Sequence, residues 1–369
     1  MEEFRRVLFR SQIPEKMKAL VAYAPGDYRL EMVPTPRAQY DDVVVRVEGC
    51  GVCAGDLKAY HGAPSFWGGE GNPLYIKAPV IPGHEFVGTV VEVGPDQKEF
   101  APGDRVVSEQ IVPCGECRFC KTGRYWMCQK HDLYGFQNNV NGGMAEYMRY
   151  PHQGLKYKIP QDMPIEKALL IEPYACSKHC VDRANITNED FVVLSGAGTL
   201  GLGMVGAIKK RNPDVLVVLD LNNARLAKAK EFGADIVLNP KEVNVVQKIV
   251  EMTDGYGCDT YIEATGHPSS VKQGLEMIRK MGTFVEFSVF GELTTVDWSI
   301  ISDRKELNLY GAHLSPYSYH SVIKWINDGS LPTEGVITHK FSLDDWKKAF
   351  DLAASGADNA IKVAIIPSL

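Results

Sequence analysis

Hydrophobic and polar positions follow two different patterns along this chain. From Met17 to about Glu172, short runs rich in β-branched residues are broken by Gly and Pro, as in strands joined by loops. From about Phe191 to Tyr310, short apolar runs alternate with segments whose apolar residues recur at helical spacing. The C-terminal segment returns to a mixed pattern of strands and helices.

The alternating region predicts a parallel, doubly wound sheet of the Rossmann type, because each apolar strand is followed by a helix. The predicted strands are FVVLSG, VLVVLD, ADIVLN, CDTYIEAT, TFVEFSV and LNLYGAHL. The predicted helices are LGMVGAIKKR, ARLAKAKEFG, VNVVQKIVEMT and SVKQGLEMIRKMG. The simplest topology is an α/β cofactor domain, residues 175–316, inserted between two parts of a mostly β domain, residues 17–174 and 317–369.

Residues 1–16 stand apart from both patterns. The segment MEEFRRVLFRSQIPEK is charged and unpatterned, and a strand-like run begins cleanly at Met17. Whether the segment is foreign to the fold or a native flexible arm, we expect it to be disordered.

Composition narrows the class of protein. The chain is 45% hydrophobic and 23% charged, with a formal net charge of −6 and no basic stripe, which argues against a nucleic-acid partner. No apolar run reaches the roughly 18–20 residues that cross a bilayer, and the N-terminus lacks a signal-peptide core. We therefore expect a cytoplasmic protein, in which clustered cysteines favour metal binding or catalysis over disulfides.

The stretch GAGTLG carries a dinucleotide-binding fingerprint. It follows the predicted strand FVVLS and opens a helix, which is the context that the GxGxxG pattern requires. The glycines permit the tight turn, the approach of a pyrophosphate and close packing of helix on strand, and the helix start attracts phosphate. The predicted cofactor-binding residues here are Gly196, Gly198, Thr199, Leu200 and Gly201.

Asp220, at the end of the second strand of this region, predicts the choice of cofactor. A carboxylate here accepts hydrogen bonds from ribose hydroxyls and repels a 2′-phosphate, so NAD is favoured over NADP. Arg225 is the one cation nearby, and it could lie over the adenine or pair with Asp220. Thr265, at the end of another strand, is placed where the dinucleotide would cross the sheet edge.

Four of the nine cysteines fall in the segment CGECRFCKTGRYWMC. Four thiolates at this spacing can close a tetrahedral shell around zinc, and a closed shell is structural because no position is left for substrate. An iron–sulfur cluster or a disulfide pair is the alternative. The predicted ligands are Cys114, Cys117, Cys120 and Cys128.

Three separate places supply ligands for a second, open metal site. They are GVCAGD with Cys53, PGHE with His84 and Glu85, and IEP with Glu172. A thiolate, an imidazole and one or two carboxylates leave a zinc position open for water or a substrate oxygen. Taken singly, each residue could instead be a packed core or loop residue.

Together these motifs resemble the zinc-dependent medium-chain alcohol dehydrogenases, and within them the sorbitol and other polyol dehydrogenases. The combination CAGD-x-K-A-YHG and the stretch IEPYACSKHC also resemble the erythritol/L-threitol dehydrogenases. The resemblance covers Met17 to the C-terminus and rests on GVCAGD, PGHEFVGTVVEVG, GDRV, the four-cysteine segment, IEP, GAGTLG and DLNNAR. It implies a GroES-like catalytic domain split around the Rossmann domain and a homodimer or homotetramer. It also implies one catalytic and one structural zinc per subunit, with Cys53 and His84 as catalytic ligands and Glu85 as a ligand or as the holder of the zinc water. Glu172 stands where polyol dehydrogenases have Glu and alcohol dehydrogenases usually have Cys.

The chain departs from the family at the proton relay. Two residues after Cys53, relatives usually have Ser or Thr, and here the residue is Gly55. The later relay position, often His, is Lys58. Lys58, His61 or a water held by Glu172 must then carry the proton, and Lys58 is the first candidate.

The function that this resemblance implies is transfer of hydride from a secondary hydroxyl of a small C4–C6 polyol to NAD, giving a ketose. L-threonine or a simple alcohol is the alternative substrate. A zinc-ribbon nucleic-acid binder is the alternative of another class, and the acidic balance and the complete cofactor fingerprint argue against it.

Overall fold

The structure is a computed structural model that describes residues 13–69 and 71–369, and it divides into two units. The first unit contains the described residues up to Glu172, Tyr319–Asn327 and Thr333–Leu369. The second contains Pro173–Ser318 and Asp328–Pro332. The predicted boundaries lie two residues from the main junctions, and no sequence pattern indicated that 328–332 groups with the second unit.

The strands, numbered in chain order, are β1 (Lys16–Ala24), β2 (Asp27–Pro34), β3 (Val43–Gly51), β4 (Gly68–Gly69), β5 (Asn72–Leu74), β6 (Glu85–Val93), β7 (Arg105–Ser108), β8 (Ile111–Val112), β9 (Asp132–Leu133), β10 (Tyr147–Tyr150), β11 (Lys156–Lys158), β12 (Phe191–Ser195), β13 (Val215–Leu219), β14 (Ile236–Leu238), β15 (Cys258–Glu263), β16 (Ile278–Glu286), β17 (Asn308–Gly311), β18 (Ile337–Phe341) and β19 (Lys362–Ile365). The helices are α1 (Ala54–Tyr60), α2 (Pro64–Trp67), α3 (Arg118–Lys121), α4 (Ile165–Ala168), α5 (Ile171–Ala184), α6 (Thr199–Lys209), α7 (Asn223–Glu231), α8 (Val245–Met252), α9 (Pro268–Met277), α10 (Tyr319–Asn327) and α11 (Trp346–Ser355).

The first unit is built on a mostly antiparallel sheet in the order β11-β7-β6-β3-β19-β18, with β10 also paired to β3. Its centre is the pair β3–β6, two valine-rich strands whose inward side chains are buried. The register places Gly51 of β3 opposite Glu85 of β6 and opposite Ala364 of β19. The end of β3, the start of β6 and the last strand of the unit therefore meet at one place.

The N-terminal prediction is only partly within the described residues, since residues 1–12 lie outside them. For residues 13–16 the structure differs from the predicted disorder. Lys16 already belongs to β1 and pairs with Pro34, and the carbonyl oxygen of Glu15 accepts the N–H of Thr35 at 3.0 Å. The ordered fold therefore begins a few residues before the strand-like pattern becomes visible.

The second unit is a parallel sheet in the order β14-β13-β12-β15-β16-β17, which confirms the predicted doubly wound fold. Its strands are apolar and buried, and helices α6 to α9 connect them. One element differs from prediction: the helix expected to run through Gly282 ends at Met277. Ile278 begins β16 instead, because it pairs with Cys258 of β15.

Among the described residues, no helix combines the length and the apolar character needed to cross a membrane.

Candidate active site and metal centres

Four thiols converge on one point after β8. The segment that follows β8 forms the short helix α3 and a 3₁₀ turn at Tyr125–Met127. This irregular path turns the sulfur atoms toward one another, and all four Sγ atoms lie within 4.8 Å of each other. They belong to Cys114, Cys117, Cys120 and Cys128.

The spacing of these sulfur atoms fits a single tetrahedral zinc. The Sγ atoms of Cys117 and Cys120 are 3.5 Å apart, and those of Cys114 and Cys120 are 4.0 Å apart. Zinc–sulfur bonds of about 2.3 Å in a tetrahedron place sulfur atoms about 3.8 Å apart, whereas a disulfide needs about 2.05 Å. The disulfide alternative is therefore wrong for this structure, in which these cysteines are free thiols.

Backbone N–H groups donate hydrogen bonds to the sulfur atoms of this group. The N–H of Gln129 donates to Cys117 Sγ at 3.4 Å, and the N–H of Cys117 donates to Cys114 Sγ at 3.4 Å. Donors of this kind stabilise the thiolate, and they lower the pKa of Cys117 to about 6.

A second group of ligand atoms lies where β3 and β6 meet. Cys53 follows β3 and directly precedes α1, while His84 and Glu85 stand at the start of β6. One ligand atom from each of the three lies within 4.8 Å of the others. The turn before His84 needs a glycine, because Gly83 has φ +96° and a Cβ there would lie 2.6 Å from Cys50 Sγ.

Asp56, buried on α1, contacts both Cys53 and His84. Its Oδ2 accepts the N–H of Cys53 at 2.9 Å and so orients the backbone at the start of α1. Its Oδ1 lies 3.6 Å from His84 Nδ1. Burial acts to lower the pKa of His84, but the charges of Cys53 and Asp56 outweigh it and hold that pKa well above its usual range. The site therefore attracts positive charge, as a zinc site must.

Sequence reasoning missed Lys362, whose amine is buried beside the same group. It forms an ion pair with Glu85 Oε2 and donates to the carbonyl oxygen of Val52 at 3.0 Å. Burial acts to lower the pKa of Lys362, but Glu85, Cys53 and Glu172 outweigh it and raise that pKa. The available signal was a lone lysine inside the apolar run AIKVAIIP.

Glu172 is buried at the start of α5 and acts electrostatically on Lys362. It does not belong to the group of Cys53, His84 and Glu85, in which the ligand atoms all lie within 4.8 Å of one another. The structure thus brings three of the four predicted catalytic ligands together and places the fourth near the amine that neutralises Glu85.

Gly55, which stands at the position where relatives usually have Ser or Thr, lies next to Cys53 and His84. A Cβ at Gly55 would lie 3.8 Å from Cys53 Sγ, 3.9 Å from His84 Cε1 and 3.9 Å from Phe136 Cζ, all ordinary contacts. Lys58 lies on the same helix, α1, and burial lowers its pKa. There is room for a hydroxyl at position 55 that this chain does not use.

Aromatic rings line the neighbourhood of His84. Phe136 lies with its ring centroid 5.4 Å from that of His84, and Phe66 stacks on Phe136 at 5.3 Å. No motif in the sequence singled out Phe136. The indole of Trp67 donates to the carbonyl oxygen of Ala59 at 2.7 Å and so serves the packing of α1.

In the second unit, the fingerprint glycines form the turn between β12 and α6. Gly196 has φ +109°, and a Cβ at Gly201 would lie 2.0 Å from Gly196 O, so neither position accepts another residue. A Cβ at Gly198 would meet only Arg225 Nη1 at 4.0 Å, which leaves an open cradle. The N-cap residue of α6 is Gly198, which has no side chain to bond the first N–H groups, and Thr199 and Leu200 form the first turn. This arrangement fits a bound pyrophosphate.

Asp220 follows β13 and is held by two backbone donors. Its oxygens accept the N–H of Ala197 at 2.7 Å and of Asn222 at 2.8 Å. The carboxylate thus sits beside the fingerprint turn with lone pairs left for hydroxyl donors. Thr265, after β15, donates its hydroxyl to Glu263.

Comparison with known proteins agrees with this architecture. Residues 39–161 match the alcohol dehydrogenase GroES-like domain, and residues 199–328 match the zinc-binding dehydrogenase domain. The fold and the two ligand groups define a zinc-binding oxidoreductase that uses a nucleotide cofactor. The chain belongs to the zinc-dependent dehydrogenase family, as its motifs predicted.

The relatives include enzymes of sugar alcohols. The chain is 50% identical to an erythritol/L-threitol dehydrogenase of Mycolicibacterium smegmatis, over 97% of this chain and 99% of that protein. It is 31% identical to a sorbitol dehydrogenase of Halalkalibacterium halodurans, over 95% of this chain and 99% of that protein. A zinc-binding dehydrogenase structure from Sinorhizobium meliloti 1021, bound to NADP, superimposes with a TM-score of 0.87 at 28% identity, covering 96% of this chain and all of that one.

Proposed function

We propose that this chain oxidises a secondary hydroxyl of a small polyol of the erythritol or threitol type, passing hydride to NAD and giving a ketose. The observation that carries the proposal is the group Cys53, His84 and Glu85, whose ligand atoms gather at one buried place. The 50% identity to an erythritol/L-threitol dehydrogenase supports the substrate class.

The two metal groups would hold one zinc each. Cys53 and His84 are the proposed catalytic ligands, with Glu85 and Glu172 beside them, and the four-thiol segment is the proposed structural site. Zinc in the open site would supply Lewis acidity that lowers the pKa of a hydroxyl group. The surrounding protein would orient the polyol against the aromatic wall of Phe66 and Phe136 and exclude water.

The proposed cofactor is NAD, which accepts the hydride. Asp220 supports this choice, because its carboxylate follows β13 at the ribose position and would repel a 2′-phosphate. The NADP-bound structure shares only 28% of its residues with this chain. Arg225 lies next to the open cradle at Gly198 and is the proposed contact to the adenosine half of the cofactor. Thr265 is the proposed contact where the cofactor crosses the edge of the sheet.

Lys58 is the proposed carrier of the substrate proton, since Gly55 offers no hydroxyl. Its partly buried amine is on α1, which begins directly after Cys53, and burial lowers its pKa toward the range where proton transfer is efficient.

Assembly as a homodimer or homotetramer in the cytoplasm completes the proposal. The edge strand β17 is exposed along its length, and Leu293 and Trp298 are 97% and 68% exposed. An exposed edge strand and exposed apolar side chains are features suited to pairing with a second copy. The nine free cysteines agree with a reducing compartment.

The direct test is a dehydrogenation screen of the zinc-loaded protein with NAD over C4–C6 polyols, L-threonine and simple alcohols, followed by NADH absorbance. Erythritol or threitol should give the highest kcat/KM. Preference for L-threonine or a simple alcohol would overturn the substrate, and absence of any NADH formation would overturn the proposed reaction.

A further inference from the structure

Two glutamates lie side by side at the carboxyl edge of the parallel sheet. Glu263 is the last residue of β15, Glu286 is the last residue of β16, and the two are register partners on neighbouring strands. Side chains at paired positions project to the same face of a sheet, so the two carboxyl groups are neighbours.

The two carboxyl groups have unequal surroundings. Glu263 is fully buried and accepts the N–H of Thr265 at 2.8 Å and of Gly266 at 3.1 Å, together with the Thr265 hydroxyl. Glu286 is half-buried and accepts one N–H, from Ser288 at 2.5 Å. Burial, and then the charge of Glu263, raise the pKa of Glu286 to about 8.

Residues of α5 and β17 complete the surroundings of Glu286. From α5, the buried thiol of Cys180 has its pKa raised by burial and then by Glu286 and Glu263. The register partner of Glu286 on β17 is Gly311, which has no side chain. Arg183 donates to Gly311 O at 3.1 Å and lies over the Tyr310 ring, 5.0 Å from its centroid.

The sheet topology relates this pair to the cofactor. Asp220 follows β13 and the phosphate turn follows β12, so the adenosine half belongs over the β13 side. The order β13-β12-β15-β16 then directs the nicotinamide half over the carboxyl ends of β15 and β16, across the switch point. Glu263 and Glu286 end those two strands.

We propose that Glu286 responds to the charge of the nicotinamide ring. It keeps its proton beside the neutral ring of NADH and releases that proton to solvent when the positively charged ring of NAD binds. The carboxyl pair thereby favours the oxidised cofactor more strongly as pH rises. This inference rests on the proposed function, since it requires a nicotinamide cofactor.

The physical reason for this preference is that the Glu286 carboxylate and the oxidised nicotinamide ring carry opposite charges. A carboxylate attracts a pyridinium cation and has no such attraction for the uncharged dihydropyridine, and partial burial weakens solvent screening. Between about pH 6.5 and about pH 9, the ratio of NADH to NAD dissociation constants should rise about three- to tenfold, according to the distance between the charges.

The experiment titrates the zinc-loaded full chain with NAD and with NADH in the absence of substrate. Calorimetry measures binding at several pH values. The variants are Glu286→Gln, which removes the charge at nearly constant volume, and Glu276→Gln as a matched control. Glu276 is exposed and precedes the start of β16, at the opposite edge of the sheet.

The wild type and Glu276→Gln should show the rise in the ratio and a proton release on NAD binding. In Glu286→Gln the rise in the ratio should be about three- to tenfold smaller than in the wild type, because any contribution of a metal-held water is common to both proteins. Because a Gln substitution can disturb folding, Glu286→Met, judged by circular dichroism, gives the same expectation without an ionisable group.

An unchanged pH dependence in a folded Glu286 variant would overturn the inference and leave the proposed function standing. A wild type that binds neither nucleotide would overturn the proposed function itself, and the inference with it.

Discussion

Lys362 of β19 and Glu85 of β6 form a buried ion pair beside Cys53 and His84. The two strands do not pair with each other; both pair with β3, and the end of that strand brings them together. The negative charge of Glu85 is therefore balanced within the protein, by a lysine that lies 277 positions later in the chain.

Lys362→Met should strongly destabilise the first unit, because it leaves the Glu85 carboxylate buried without a cation. Breaking a buried pair costs about 3–5 kcal/mol of unfolding free energy, and the double variant Glu85→Gln/Lys362→Met should recover much of it. The matched control is Lys340→Met, whose exposed pair with Glu166 is worth less than about 1 kcal/mol. Urea unfolding measures both, and equal midpoints for the two single variants would contradict the assignment.

Each metal group should lose one zinc when a thiol is removed. Elemental analysis should give two zinc ions per wild-type chain and one in either Cys114→Ser or Cys53→Ser. Cys53→Ser should abolish turnover while keeping the melting temperature, whereas Cys114→Ser should lower the melting temperature because it breaks a closed structural shell. One zinc per wild-type chain would refute the two-site arrangement.

Gly55→Ser should be tolerated, because the new Cβ makes only ordinary contacts, and the unfolding free energy should change by less than about 0.5 kcal/mol. If Lys58 carries the proton, Lys58→Met should lower kcat by about 10²-fold, and adding Gly55→Ser should restore part of it. Lys77→Met, an exposed lysine of the same unit, is the control for loss of charge. Full activity of Lys58→Met would remove Lys58 from the reaction.

Asp220→Ala should weaken NAD binding by about tenfold or more, because hydrogen bonds to a charged group are lost, and should relax the rejection of NADP. Asp214→Ala, an exposed aspartate just before β13, should bind both cofactors as the wild type does. Titration with each nucleotide makes the comparison. An unaltered NAD/NADP ratio in Asp220→Ala would exclude Asp220 from the ribose site.

Glu109 should make stability fall as the solution becomes less acidic. Burial raises its pKa to about 7, and Tyr125 and Tyr157 donate to its Oε1 at 2.9 and 2.7 Å. Because the folded state holds the proton more tightly, the stabilisation is complete below about pH 4.5 and is lost as pH rises through about 7, a difference of about 3 kcal/mol.

The measurement is the unfolding free energy of wild type and Glu109→Gln across that pH range. The gap between them should shift in favour of Glu109→Gln as pH rises, while the exposed control Glu99→Gln tracks the wild type. A constant gap would show that Glu109 titrates alike in both states.

Local patterns were enough for the parts of this molecule that are built locally. The glycines of GAGTLG and the thiols between Cys114 and Cys128 act within one short segment, so their spacing predicted both the turn and the gathered sulfur atoms. Lys362 was not predictable in the same way, because its role depends on the pairing of β19 with β3. Ile278 was assigned to a helix because of the helical spacing around it, and this is wrong because its pairing with Cys258 of β15 outweighs that spacing.

The late position of β19 has a consequence for the newborn chain. At a translation rate of about 5–20 residues per second, Glu85 leaves the ribosome roughly 15 to 55 seconds before the lysine that neutralises it. The thiol segment after β8, by contrast, has every ligand within one stretch of nascent polypeptide. The two groups of ligand atoms are therefore completed in order: the four thiols can gather early, whereas the group around Cys53 acquires its lysine only when β19, near the far end of the chain, has joined the sheet.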